Sequence, residues 1–134
     1  MSESRTAKEQ LAAEYGALAQ LLEDVRRRVD ILNTTLAEIS AAKSALEEVS
    51  SLSEGEELLV PIGAGVFVRA KLAGKDKVLV TLGANIMVEK ALEDTRKYLE
   101  EREQKVKDAL QKSVADYQAL VSRLRDIEQR LRSA

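Results

Sequence analysis

Apolar residues in the first third of the chain fall at steps of four and three: Leu11, Tyr15, Leu18, Leu22, Val25, Val29, Leu32, Leu36, Ile39 and, past Lys43, Leu46. This heptad pattern holds for about five heptads and predicts one long amphipathic helix. Tyr15, Leu22, Val29, Leu36 and Lys43 take the a positions; Leu11, Leu18, Val25, Leu32, Ile39 and Leu46 take the d positions. Glu23, Asp24 and Arg26 to Arg28 lie largely off the stripe, where they keep their water. Lys43 is the single charge on it, and its long stem can follow the seam while the ammonium reaches solvent. Gly16 lies inside the run and costs about 1 kcal/mol relative to Ala. At the rise of an α-helix, Leu11 to Val49 spans roughly 60 Å. Ser50-Ser51-Leu52-Ser53-Glu54-Gly55 ends the helix, because serines compete for backbone hydrogen bonds and glycine frees the dihedrals.

The last third has the same period. From Val88 onward there is no glycine or proline. Leu92, Leu99, Val106, Ser113, Leu120 and Ile127 recur every seven residues, with Leu110, Tyr117, Leu124 and Leu131 in the companion row. Glu89, Arg96 and Glu103 occupy the earlier turns of that row, so the seam is more polar toward the middle of the chain. This second helix would be roughly 70 Å long. An antiparallel fold-back places Leu11 near Leu131, Leu18 near Leu124, Leu22 near Leu120, Val25 near Tyr117, Leu32 near Leu110 and Leu36 near Val106. Periodicity equally allows a coiled coil between molecules.

Between the helices the period changes to two. Four of the six glycines lie in the stretch from Leu58 to Val88 and a fifth, Gly55, just before it, with the only proline and the only phenylalanine inside the stretch. Leu58 to Ile62 is a short apolar run in which Pro61 marks an edge or an end. After Gly63-Ala64-Gly65, Val66, Val68, Ala70 and Leu72 alternate with Phe67, Arg69 and Lys71. Ala73-Gly74-Lys75-Asp76 reads as a hairpin turn. Val78, Val80 and Leu82 then alternate with Leu79 and Thr81, and Ile86-Met87-Val88 begins a fourth strand after Gly83-Ala84-Asn85. Two consecutive hairpins of about 30 residues are too small to be stable alone. Apolar residues on both faces call for partners, so the strands are expected to join strands of other subunits. Gly63-Ala64-Gly65 is not a phosphate loop, because no Gly-Lys-Ser/Thr follows and a strand comes next instead of a helix.

Composition narrows the chemistry. The chain has 134 residues, 33% of them charged and 3% aromatic, which suits long helices rather than a compact ball. Its 21 basic and 23 acidic residues give a net charge of -2, with no bulk attraction to nucleic acid or an anionic membrane. Without Cys or His there is no disulfide framework, no thiol chemistry and neither the commonest general base nor the commonest metal ligand. The carboxylates form no cluster that points to a metal site or an acid–base pair. No apolar run reaches bilayer length, and the start of the chain lacks a signal-peptide core. A cytoplasmic, non-enzymatic protein without cofactors is expected.

The order helix, two hairpins, helix resembles the α class of the prefoldin family. The resemblance is sharpest at Leu59-Val60-Pro61-Ile62-Gly63-Ala64-Gly65, Val78-Leu79-Val80, Leu82-Gly83-Ala84 and Val88-Glu89-Lys90, and it covers nearly the whole chain. The β class carries one hairpin rather than two, and the minimal architecture resembles the archaeal form. It implies an α+β fold in a single domain over 1–134. A long antiparallel two-helix coiled coil (about 8–52 and 89–133) would carry two central β-hairpins (56–88) that assemble into an oligomeric β-barrel body. It further implies an α2β4 hexamer with a central α dimer, built with a prefoldin β subunit, that binds unfolded proteins at the coiled-coil tips. Those clients would pass to a group II chaperonin without nucleotide.

On this reading Leu59, Val60, Ile62, Val66, Phe67, Val68, Val78, Leu79, Val80, Leu82 and Ile86 serve oligomerisation. Leu11, Leu18, Leu21, Leu22, Val121, Leu124, Ile127 and Leu131 are the client-binding candidates. Leu21 and Val121 lie off the seams and are expected to be exposed, whereas seam residues are expected to be buried between the helices at rest. Some paralogues similar to the α class form filaments through the β body, so a structural filament protein is the alternative.

Overall fold

The computed structural model describes residues 2–133. The order is α1 (Ser2–Ser51), β1 (Glu57–Gly63), β2 (Val66–Lys71), β3 (Lys77–Gly83), β4 (Ile86–Ala91) and α2 (Leu92–Ser133). These are the predicted helix, two hairpins and helix, with three boundaries moved. α1 begins at Ser2, ahead of its first stripe residue. β4 continues to Ala91, because Glu89, Lys90 and Ala91 pair with Leu79, Val78 and Lys77. Those ladder bonds override the helical period that runs through the same residues, so α2 starts at Leu92 rather than at 89. Glu93 and Asp94 in its first turn and Arg130 and Arg132 in its last complement the helix dipole.

β1 pairs with β2 and β3 with β4, both antiparallel, as two separate two-stranded sheets. Ala73-Gly74-Lys75-Asp76 is therefore not a hairpin turn, since β2 and β3 do not pair. It is a connector held from outside the sheets. The Leu72 carbonyl accepts from Gly55 N at 2.6 Å, and Asp76 O accepts from Leu92 N at 3.0 Å. Lys75 Nζ donates to Leu52 O at 2.7 Å and Ser50 O at 3.1 Å, satisfying carbonyls at the end of α1.

The chain divides into two compact units, each with its own short helix pair. The terminal unit runs up to Leu36 and resumes at Lys105. Val25, Leu124 and Ile127 are buried in it, with Ser113 as a buried polar residue on the seam. Glu14 meets Arg123, while Arg26 and Val29 share a groove with Val114 and Tyr117, which makes its helices antiparallel. The central unit, Ala37–Gln104, holds both hairpins. There Ile39 and Thr95 are buried, and Lys43 meets Glu103 while Glu47 meets Arg96, so this helix pair is antiparallel too. Each a or d residue named from Leu11 to Leu46 is buried or half-buried, as are both rows of α2 from Leu92 to Leu131.

Candidate interaction surfaces

The two hairpins are one design used twice. β1 reads Glu-Leu-Leu-Val-Pro-Ile-Gly and β3 Lys-Val-Leu-Val-Thr-Leu-Gly. Both ladders shift register one residue before the turn, between Pro61 and Gly63 and between Thr81 and Gly83. Both close with a two-residue loop at positive φ, Ala64 (52°) with Gly65 (76°) and Ala84 (48°) with Asn85 (62°). That loop twists with the strands, which is why it suits a tight hairpin. The charges are not repeated. Glu57 and Arg69 in the first hairpin stand where Lys77 and Glu89 stand in the second.

The hairpins also differ in what covers them. In β3–β4, Val78, Val80, Val88 and Lys90 are half-buried. They share one face, and Val78 and Val80 line a groove with Leu46, Thr95 and Leu99. Lys90 Nζ lies 4.4 Å from the Tyr98 ring centroid, a cation–π contact. Of the expected oligomerisation residues, Val78 and Val80 therefore face the chain's own helices. Leu79, Leu82 and Ile86 are exposed, as is Met87, which the pattern did not single out. In β1–β2 nothing comparable happens. Leu59 (62%), Ile62 (64%) and Phe67 (57%) are exposed, and so are Val60, Val66 and Val68. Because Leu59 and Val60 point to opposite faces, this hairpin is apolar and open on both.

The terminal unit presents a different surface. Leu21 is exposed at 46%, as its position off the stripe predicts. Val121 is half-buried instead of exposed, because it follows Leu120 on the flank of the seam. Leu11, Leu18, Leu22 and Leu131 are half-buried; Leu124 and Ile127 are buried, Ile127 completely. Two exposed apolar residues escaped the sequence reading, Ile31 at 65% and Val114 at 37%. Each adjoins a seam residue, so periodicity hides it. Val114 lines a shallow apolar groove of about 120 Å³ with Arg26, Val29 and Tyr117.

Polar contacts close both flanks of this seam. On one, Glu14 Oε1 accepts from Arg123 Nη2 at 2.8 Å and Nε at 3.0 Å, and Arg123 Nη1 donates to Asp126 Oδ2 at 2.9 Å. Arg130 Nε stands 3.4 Å from the same Asp126 oxygen. On the other, Tyr15 Oη donates to Glu128 Oε1 at 2.9 Å. This bond and the carboxylate's charge push the Tyr15 phenol above its usual range. The Glu14 carboxylate likewise raises the Arg123 guanidinium. Among the described residues no group of three or more acidic residues is placed to hold a metal ion, and no helix is long and apolar enough to cross a membrane.

Comparison with known proteins agrees with this architecture. A family model described as prefoldin subunit matches residues 18–134. The chain is 39% identical over 132 residues to prefoldin subunit alpha of Thermofilum pendens, covering 98% of this chain and 100% of that protein. It is 34% identical over 123 residues to prefoldin subunit alpha of Nitrosopumilus maritimus, covering 90% and 83%. Among solved structures, the cryo-EM structure of filamentous PFD from Methanocaldococcus jannaschii is similar, with a TM-score of 0.70 and 26% identity over 91% of this chain and 98% of that one. A helix–hairpin–hairpin–helix chain with matching sequence along nearly its whole length belongs to the prefoldin family, among its archaeal alpha subunits.

Proposed function

We propose that this chain is a subunit of an ATP-independent holdase. It would assemble through its hairpins with a prefoldin β subunit into an α2β4 hexamer with an α dimer at its centre. The complex would capture unfolded polypeptides on the helix ends of the terminal unit and deliver them to a group II chaperonin in the cytoplasm. No catalytic step, cofactor, nucleic acid or membrane enters this reading.

The observation that carries it is the β1–β2 hairpin, apolar and open on both faces. A two-stranded sheet of this kind gains stability by joining other strands. The assembly residues would be Leu59, Val60, Ile62, Val66, Phe67 and Val68 with Leu79, Leu82 and Ile86 on the outer side of the second hairpin. Val78 and Val80 would support that hairpin from within. The client-binding residues would be Leu11, Leu18, Leu22, Leu124, Ile127 and Leu131, uncovered by opening of the seam, together with the exposed Leu21 and the flanking Val121. Each Å² of apolar surface they lose to water on opening costs about 25 cal/mol, which an unfolded chain's apolar side chains can restore.

The deciding experiment is native mass measurement of the chain alone and with a β-class partner, followed by an aggregation assay without nucleotide. A defined hexamer that suppresses aggregation of a chemically denatured protein supports the reading. A verified hexamer that leaves aggregation unchanged counts against it. A second reading, a filament-forming structural protein, draws support from the likeness to filamentous PFD and from the duplicated hairpin, which offers two like docking elements per chain. Open-ended mass ladders without any partner would favour it. Removing residues 1–22 and 120–134 separates assembly from capture: assembly should survive and capture should fall.

A further inference from the structure

The terminal unit contains a seam, two polar clasps and one helix-weakening residue within a few positions of one another. Glu14 and Tyr15 are adjacent in α1 yet reach opposite flanks, Glu14 to Arg123 and Tyr15 to Glu128. Leu124 and Ile127 lie between these partners in α2 and are the buried residues there, at 7% and 0% exposure. Gly16 follows directly. It is the one glycine within either helix, and a Cβ added to it would meet nothing within 4 Å. No packing requirement explains a glycine at a position where Ala would be about 1 kcal/mol better. Its effect is to lower the helix stability beside the clasps.

We infer that Glu14–Arg123 and Tyr15–Glu128 form a two-sided latch, with Gly16 as its weak link. This latch sets how often the paired helix ends open and uncover Leu18, Leu124 and Ile127 to an extended apolar segment of another chain. Part of the latch is shared: Asp126 holds both Arg123 and Arg130, so the guanidinium stays positioned for Glu14. Such clasps are individually weak because they are partly solvated. Weakness suits the task, since a latch of this strength changes a local opening equilibrium without locking it. That the uncovered seam receives unfolded protein rests on the chaperone reading above; the opening itself does not.

The test uses the full chain assembled with a β-class partner, three single variants and one double variant, all of which keep the apolar packing of the seam. Tyr15→Phe removes only the hydroxyl, Glu14→Gln removes the charge, and Gly16→Ala strengthens the helix. Amide hydrogen exchange reports opening, and retention of reduced, carboxymethylated lactalbumin reports capture. The double variant Glu14→Gln/Tyr15→Phe is expected to exchange about threefold to tenfold faster at residues 11–22 and 120–131. Exchange in 37–104 should be unchanged, and the probe should be held more strongly. Gly16→Ala should move both readouts the other way. Unaltered exchange in the double variant overturns the latch. So does measurable retention that fails to follow the order of exchange. Exchange in the expected order with no retention by any of the chains, including the parent, keeps the latch and overturns the chaperone reading.

Discussion

Lys43 Nζ lies 3.2 Å from Glu103 Oε1, so the one charge on the α1 stripe meets a charge on the α2 stripe. Their side chains are only 31% and 17% exposed, and Ser40 Oγ lies 3.5 Å from the other Glu103 oxygen. Removing Lys43 takes one counter-charge from the half-buried Glu103. Lys43→Met is therefore expected to cost about 1–2 kcal/mol, between the values for exposed and buried pairs. Lys43→Met with Glu103→Leu should recover most of that loss, because an apolar pair suits the seam. Denaturant midpoints of the single and double variants measure the coupling. A double-variant loss equal to the sum of the losses of Lys43→Met and Glu103→Leu taken singly would show that the two residues act independently.

Lys75 ties the connector between the hairpins to the end of α1. Lys75→Met removes two charge-assisted hydrogen bonds to carbonyls and is expected to cost about 1–2 kcal/mol. Proteolytic cleavage between Leu52 and Glu56 should accelerate in parallel. A melting curve unchanged by the substitution would remove this role.

Both hairpin loops hold an alanine at positive φ, Ala64 at 52° and Ala84 at 48°. A side chain there crowds the following carbonyl, and glycine relieves it. Ala64→Gly and Ala84→Gly should each raise stability by about 0.5–1 kcal/mol, read from thermal unfolding of the assembled protein. Loss of stability in both would mean that the loop is held by something other than its dihedrals.

Alkaline titration should report on Tyr15, whose phenol donates to Glu128. Its folded pKa is raised, so the protonated phenol is favoured in the folded state. The corresponding stability is complete below the ordinary phenol range, about pH 10, and is lost as pH climbs through the raised pKa. Phenolate absorbance of the parent against Tyr15→Phe should reveal a late-titrating group. Exchange at residues 11–22 should quicken over the same interval.

Much of this architecture is legible in the chain. The steps of four and three place the half-buried stripe of α1 residue by residue, and the same seven-residue rows mark the inward face of α2. Alternation and glycine spacing locate the hairpins. The border at 89–91 was not legible, since Glu89, Lys90 and Ala91 fit a helical row and are claimed by strand pairing with residues distant in sequence. The Ala73 to Asp76 connector carries turn residues, yet what holds it is Lys75 reaching back to α1, a contact no local pattern encodes. Val78 and Leu79 look alike in sequence, and only the helices beneath them decide that one is half-buried and the other open. The latch was equally hidden, because a charged residue beside a seam reads as ordinary solvated surface until its partner is placed.

The duplicated hairpin has a consequence for how such a subunit changes over time. A substitution in β3–β4 is tested twice, once against Leu46, Tyr98 and Leu99 of its own molecule and once against whatever lies outside. A substitution in β1–β2 is tested almost only from outside, because nearly all of its side chains are open. The second hairpin is thus the more constrained one, held by the helices that cover it. The first is free to drift toward new neighbours, and a lineage could acquire a different assembly by altering residues 57–71 while leaving the rest of the subunit as it is.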